Sequence, residues 1–176
     1  IPQCLTGYYV KKFDNADVAL KDYYMNSSSE AGDIIFRLPD LLLASAEAWN
    51  EYLDAPDERV YNPLDQIRTR AGIAKVRDAW KTYARNPQKV ETQAGMREII
   101  RQEWNIEFAF EGRRFYNLRR WMTAHEELNS PLYGWNIIGD TEERFYNNNK
   151  EPIIDYFFPI GSEEVMISGC VQNPGW

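Results

Sequence analysis

The stretch from Met96 to Trp121 constrains the fold most strongly, because it carries the densest apolar repeat in the sequence. Gly112 interrupts this repeat, and a glycine inside a helix costs about 1 kcal/mol relative to alanine. The pattern therefore predicts a long buried helix that bends or breaks at Gly112 and continues as a further turn or two. Its apolar residues recur at steps of three or four, the period of a helix face that turns toward a core: Met96, Ile99, Ile100, Trp104, Phe108, Phe110, Phe115, Leu118, Trp121 and Met122.

Acidic and basic residues share the other face of this predicted helix. Glu103, Glu107 and Glu111 stand four residues apart, which is helical spacing. A di-iron site would need a Glu-x-x-His pair on each of two helices, whereas the chain has one histidine, His125. Neighbouring arginines would hold each acid ionised, unlike the general acid of a glycosidase. We interpret the acids as structural ion pairs and predict no metal site; the interleaved basic residues are Arg97, Arg101, Arg113, Arg114, Arg119 and Arg120.

The composition narrows the class of protein. The 176 residues fit one domain, and 44% hydrophobic with 14% aromatic residues is ample for a core. The 20 basic and 27 acidic residues leave a net charge of −7, which argues against nucleic acid and an anionic membrane face as partners. The chain begins at Ile1 without an initiator methionine, so we expect a processed, trimmed or fragmentary chain. Cys4 and Cys170 are compatible with a disulfide and with two thiols.

Two further helices are predicted before the central block. Residues 39–53 begin with a proline and an aspartate, which suit the first helical turn. Asn62 and Pro63 are a second start signal, and Gly72 is a stop signal, so the two helices form a hairpin. The residues predicted to face inward are Leu42, Ala46, Trp49 and Leu53 in the first helix and Leu64, Ile67 and Ala71 in the second.

The remaining segments are predicted to be mostly irregular. Residues 73–92 are interpreted as a long excursion with one helical turn near Ala79, and residues 129–149 as mostly loop. Residues 7–13 and 155–160 are strand-like, and Ser162 is a predicted cap for a short helical turn that Gly169 ends. The terminal Trp176 is expected to pack against the body of the protein.

Six sequence blocks together resemble the SusD/RagB family. They are LTGYYVKKF, RLPDLLLASAEAWNEY, IRTRAG, IIRQEWNIEFAFEGRRFYNLRRW, FFPI and QNPGW, in that order along the chain. The resemblance implies that residues 1–176 are the C-terminal domain of such a protein, a fragment without the N-terminal half and its lipid-bearing cysteine. Two residues depart from the family pattern. Gly95 stands where an acidic or polar residue is usual, and Gly161 where a second proline is more frequent.

The resemblance implies a fold class and a role. The fold is mainly α, with tetratricopeptide-like helical hairpins, long irregular loops and a few short strands. The role is that of a surface-exposed outer-membrane lipoprotein of Bacteroidetes-like bacteria, which binds an oligosaccharide or peptide without catalysis and without a cofactor. It delivers this nutrient to a SusC-like TonB-dependent transporter. The membrane is reached only through an N-terminal lipid anchor that lies outside this chain.

Within this resemblance, the charged residues of the family blocks are interpreted as scaffold. Ligands are expected on aromatic side chains, because the C–H face of a sugar stacks on a ring while its hydroxyls need polar partners. These rings are equally compatible with core packing or with a surface that faces the transporter or the missing half. The candidate ligand-binding residues are Trp80, Tyr83, Tyr133, Trp135 and Tyr146; the scaffold residues are Arg68, Arg70, Glu103, Glu107, Glu111, Arg114 and Arg120.

Two other classes of protein were compared with this interpretation. A peptide-binding helical-repeat adaptor would share the alanine-rich hairpin, but it should show a repeat of about 34 residues, and none is visible. A glycoside hydrolase would need an acid pair away from arginine, such as Asp140 with Glu142 or Glu143, and acids so close on a loop are expected to be solvated. His125 is expected at the surface or a helix end, since its spacing implies no catalytic partner.

Overall fold

The computed structural model describes residues 10, 12, 34–130, 132–135, 144–147 and 156–174, and it is mainly helical, as predicted. The chain divides into two compact units, residues 15–111 and residues 1–14 with 112–176. Among the described residues, no helix has the length and apolar character needed to cross a membrane. The elements are α1 (Leu38–Tyr52), α2 (Glu58–Arg70), α3 (Val76–Tyr83), a 3-10 helix (Pro87–Glu91), α4 (Gln93–Glu107), α5 (Arg113–Arg120), α6 (Ala124–Asn129), β1 (Leu132–Trp135), β2 (Arg144–Asn147) and α7 (Ser162–Ser168).

The predicted hairpin is present as α1 and α2, and α4 packs beside α1. The predicted inward stripe of α1 is partly wrong. Ala46 is buried, but Leu42 is half-buried and Trp49 is exposed, while Leu43 and Asn50 are fully buried. Three consecutive leucines at 41–43 make two neighbouring stripes almost equally apolar, so the period alone does not select one. The buried core of this unit comprises Leu43, Ala46, Val60, Tyr61, Leu64, Ile67, Val76, Val90, Met96, Ile99, Ile100, Trp104 and Phe108.

Helix α2 begins four residues before the predicted start at Asn62. The carboxylate of Asp57 accepts a hydrogen bond from the backbone N–H of Arg59 at 2.8 Å and caps the helix there. Pro63 lies inside the helix, where it removes one backbone donor. The buried side chains of Val60 and Tyr61 add contacts to the first turn. The predicted end is confirmed, since Gly72 adopts a positive φ of 72°, although Ala71 is exposed.

The segment 73–92 is more ordered than the predicted excursion. It forms α3 and a 3-10 helix, which pack against each other. The carboxylate of Asp65 accepts a hydrogen bond from the backbone N–H of Val76 at 2.8 Å and fixes the start of α3. The hydroxyl of Tyr61 donates to the carbonyl of Val90 at 2.9 Å. These contacts from α2 hold both short helices, and such distant partners are not visible in local periodicity.

The predicted central helix is α4, but it ends at Glu107 rather than at Gly112. Thr92 caps this helix, because its hydroxyl accepts a hydrogen bond from the N–H of Gly95 at 3.1 Å. Gly112 has a φ of 74° and precedes α5, so a break at this glycine is confirmed. Three residues predicted to face the core are exposed instead, namely Phe110, Phe115 and Met122. The turn at residues 108–112 changes the helix phase, and this removes them from the buried stripe.

A β-hairpin replaces part of the predicted loop at residues 129–149. β1 pairs with β2 in antiparallel register, with position 133 opposite 146 and position 135 opposite 144. Aromatic residues favour strands through cross-strand pairing, and that signal depends on a partner about ten residues away. The region's Gly and Asn content therefore predicted irregular structure wrongly for these two segments.

The C-terminal segment differs in two details from the prediction. Ser162 is the first residue of α7 and Gly161 holds the cap position, whereas the end at Gly169 is confirmed by its φ of 69°. Residues 156–160 form no strand. Other predictions concern positions outside the described residues: the strand at 7–13 apart from residues 10 and 12, the state of Cys4, the acid pair at 140–143 and the packing of Trp176.

Candidate functional site

Arg37 is the centre of an ion-pair network that joins the start of α1 to the end of α4. Its Nε donates to Glu111 Oε2 at 3.0 Å, and its Nη2 donates to Glu111 Oε1 at 2.8 Å and to the backbone carbonyl of Glu107 at 2.7 Å. Its Nη1 also donates to the Glu107 carboxylate. Arg70 of α2 donates to both carboxylate oxygens of Glu107 at 2.7 Å. The predicted ion pairs of Glu107 and Glu111 are therefore confirmed.

Glu103 forms a second pair, with Arg68. Nη1 of Arg68 donates to the carboxylate of Glu103, and Nε of Arg68 donates to the carbonyl of Ala74 at 2.7 Å. Burial raises the pKa of Glu103, and the charge of Arg68 and its hydrogen bond only partly oppose this effect. Burial also raises the pKa of Glu107, but hydrogen bonds from Arg37 and Arg70 outweigh it and the net pKa is lowered. The prediction that arginines keep the acids' pKa values from rising is thus right for Glu107 and wrong for Glu103.

The two glutamates should titrate on opposite sides of their ordinary range near 4.5. Carboxyl-carbon NMR should find that Glu107 ionises below this range and Glu103 above it. Because the folded pKa of Glu107 is lowered, its stabilising contribution is present above pH 4.5 and is lost as pH falls through the folded pKa. For Glu103 the sign is reversed, and its contribution is lost as pH rises through the raised pKa. Coincident titrations would contradict these environments.

His125 is the second residue of α6 and is exposed, as predicted. Its ring nitrogen Nδ1 lies within hydrogen-bond distance of the Tyr156 hydroxyl, and its backbone N–H donates to the same hydroxyl at 3.2 Å. Glu126 lies 3.7 Å from the other ring nitrogen. These contacts fasten the start of α6 to the segment after β2.

Two of the five candidate ligand residues lie on α3, three residues apart. Trp80 is half-buried, and Lys89 Nζ lies 5.5 Å from the centroid of its ring. This contact leaves less of the indole ring available to a ligand. Tyr83 is 81% exposed and is accessible to a ligand.

The other three candidates lie on the β-hairpin. Its register sets Tyr133 directly opposite Tyr146, and Trp135 lies two residues along β1. Since alternate positions of a strand belong to the same face, positions 133, 135 and 146 belong to one face of the hairpin. The hairpin therefore brings together three aromatic positions that are at most 13 residues apart in the sequence.

Two features of the unit 15–111 were not predicted from the sequence. Arg37 was not recognised as the network centre, although it stands directly before a helix start. A cavity of about 990 Å³ opens between α1 and α2. It could not be predicted from the sequence, because its lining comes from residues that are distant in the chain and meet only in the folded structure. Its lining combines apolar and polar side chains: Arg37, Leu38, Pro39, Leu42, Asn62, Asp65, Gln66, Ile67, Thr69, Arg70 and Lys75.

Comparison with known proteins gives a consistent result. The sequence model of the SusD family matches residues 4–176. The SusD-like protein P25 of Formosa agariphila is 29% identical over 162 residues, which cover 91% of this chain and 26% of that protein. The SusD-like protein P2 of the same organism is 27% identical over 150 residues, which cover 84% of this chain and 26% of that protein. The chain thus spans about a quarter of the length of these curated relatives.

Proposed function

This chain belongs to the SusD family, and on that premise we propose that the intact protein is a non-catalytic binding protein for a nutrient oligosaccharide. The family match over nearly the whole chain carries this proposal. In the proposed role, the protein is a lipoprotein at the outer-membrane surface, and it delivers the oligosaccharide to a SusC-like TonB-dependent transporter. Glu103, Glu107 and Glu111 support a binding role, since each is engaged by arginine in a structural network and none is offered to a ligand as a proton donor.

We propose the hairpin aromatic positions 133, 135 and 146 as ligand contacts of their unit, and Tyr83 and Trp80 of α3 as ligand contacts of the other unit. An aromatic ring offers a flat apolar face to the C–H side of a sugar, and several rings in a row extend that face along an oligosaccharide. The cross-strand pair of Tyr133 and Tyr146 supports this assignment. The contact of Lys89 with the Trp80 ring makes Trp80 the weakest of the five candidates.

Trp135→Ala should lower the affinity of the intact protein for its oligosaccharide by at least tenfold, which corresponds to about 1.4 kcal/mol. The physical reason is the loss of one of the three aromatic rings that the hairpin contributes as stacking faces. Titration calorimetry against a panel of oligosaccharides and peptides would measure the effect. Tyr52→Ala is the matched control, because it removes an exposed ring from α1 that is not a candidate.

Three results would contradict the proposal in different ways. Unchanged affinity of the Trp135→Ala protein, at an unchanged melting temperature, would remove this residue from the site. Binding of peptides instead of oligosaccharides would favour a peptide-binding RagB-like role. Turnover of any oligosaccharide by the pure protein would contradict the non-catalytic assignment.

A further inference from the structure

A cluster of exposed aromatic rings and one arginine lies in the unit that contains α5 and α7, and none of its members is a candidate ligand residue of the proposed function. Phe115 of α5 and Phe158 have ring centroids 5.8 Å apart and planes inclined by 31°. Tyr116 meets Phe115 edge-on at 5.3 Å. Phe115 is 39% exposed and Phe158 is 58% exposed, so both rings are accessible to a ligand. Exposed neighbouring rings of this kind are typical of binding surfaces.

Arg119 lies on this cluster. The centre of its guanidinium is 3.6 Å from the centroid of the Phe115 ring and 5.8 Å from that of Phe158. Its Nη1 donates a long hydrogen bond of 3.5 Å to the carbonyl of Phe115. In the part of the chain that the structure describes, no carboxylate lies within ion-pair distance of Arg119. The cation is therefore held in place by a ring, and most of its five N–H donors remain available.

A second arginine of α5 shows the contrast. Arg114 forms an ion pair with Glu127 at 2.9 Å. The sequence of α5, RRFYNLRR, contains four arginines and no acidic residue. Helix α5 itself thus contributes only positive formal charge, although the whole chain carries −7.

The backbone that carries Phe158 is fixed by two amide side chains. Gln172 accepts from the backbone N–H of Ile160 at 2.8 Å and donates to the carbonyl of the same residue at 2.9 Å. Asn173 donates to the carbonyl of Phe158 at 2.6 Å. A binding group that is positioned before the ligand arrives loses less conformational entropy on binding. The hydrogen bonds of Gln172 and Asn173 thus hold the backbone of the exposed Phe158, whose ring lies near the Arg119 guanidinium.

We propose that this cluster is a subsite for an anionic sugar residue, a uronate or a sulfate ester, and this inference rests on the proposed oligosaccharide-binding function. The sugar ring stacks on Phe158, and its carboxylate or sulfate accepts paired hydrogen bonds from Arg119. Arginine suits this role because its planar fork matches both anions. The hydroxyl of Tyr116 is available to the sugar hydroxyls.

The test compares four probes on the intact protein: a galacturonate hexasaccharide, a sulfated galactan hexasaccharide, a neutral galactan hexasaccharide and hexaglutamate. We expect at least one of the two anionic sugars to bind at least tenfold more tightly than the neutral sugar, with an affinity that falls as salt rises. Arg119→Gln and Phe158→Ala should each lower that affinity at least tenfold. Arg114→Gln, which removes a charge from the same helix outside the cluster, should leave it within twofold.

Equal affinity for neutral and anionic sugars would overturn this inference and leave the proposed function intact. Unchanged binding of an anionic sugar by the Arg119→Gln protein would have the same meaning. Binding of hexaglutamate as tightly as the sugars would replace sugar recognition by simple charge recognition. Absence of binding by all three sugars would count against both proposals. The anion preference of the unchanged protein decides the matter even if a variant fails to fold.

Discussion

Glu107→Ala should lower the free energy of unfolding by about 3 to 5 kcal/mol, because it removes one carboxylate from a largely buried ion-pair network and leaves its cations in place. The Glu107 side chain is only 10% exposed, and it accepts hydrogen bonds from Arg37 and Arg70. Arg37 is itself 18% exposed and would keep only Glu111 as an acidic partner in the described network. Chemical denaturation followed by circular dichroism would measure the loss.

Glu58→Ala is the matched control for this prediction. It removes the pair of Glu58 with Arg77 at 2.9 Å, in which both side chains are well exposed. An exposed pair contributes about 0 to 1 kcal/mol, so this variant should remain close to the unchanged protein. Similar melting temperatures for the two variants would mean that water screens the Glu107 network as well.

The central position of α4 in its unit could be predicted from the sequence, because its apolar residues recur on one face of the helix. Ile99 and Ile100 are buried as the period requires, and the spacing of the glutamates placed their side chains toward α2 and the start of α1. The leucines of α1 are different, since three in succession leave the phase of the helix undetermined. Tertiary contacts with α2 and α4 select Leu43.

The pKa of Glu103 shows why electrostatics could not be read from residue spacing. The same arginine-rich pattern surrounds Glu103 and Glu107, yet Glu103 is more deeply buried and its pKa moves the other way. Desolvation depends on how much protein surrounds the carboxylate, and this quantity appears only in three dimensions. The same reason explains Arg37, whose sequence neighbours are apolar and gave no sign of its three acceptor groups.

The aromatic residues of the candidate site could be picked out from the sequence, whereas the local structure that contains them could not. Aromatic residues among glycines and asparagines drew attention to residues 133–146, but the strands that contain them depend on pairing between two separate segments. On α3, the sequence did not separate Trp80, whose ring has a lysine beside it, from the exposed Tyr83. Exposure of a ring is set by its neighbours in space, so composition alone cannot rank such candidates.

The structure gives a physical reason for the glycine at position 95, where the sequence resemblance led us to expect an acidic or polar residue. A Cβ atom at this position would lie 2.0 Å from the backbone carbonyl oxygen of Lys89 and 2.8 Å from its carbonyl carbon. The 3-10 helix that contains Lys89 cannot move away easily, because Val90 is fully buried and its carbonyl accepts the hydrogen bond from Tyr61. A polar or acidic side chain here would therefore separate the 3-10 helix from α4.

Gly95→Ala should destabilise the protein by about 1 to 2 kcal/mol, since a clash with backbone belongs to the upper part of the overpacking cost of about 1 to 3 kcal/mol and the better helix propensity of alanine returns only about 1 kcal/mol. The sign of the change in the free energy of unfolding is informative, because a Gly→Ala substitution in a helix stabilises the protein where the methyl group has free space around it. Gly161→Ala is the control: a Cβ there meets nothing within 4 Å, so we expect a change below about 1 kcal/mol. A higher melting temperature for Gly95→Ala would mean that the 3-10 helix yields to the methyl group, and the close approach of Lys89 would then not explain why glycine stands at this helix start.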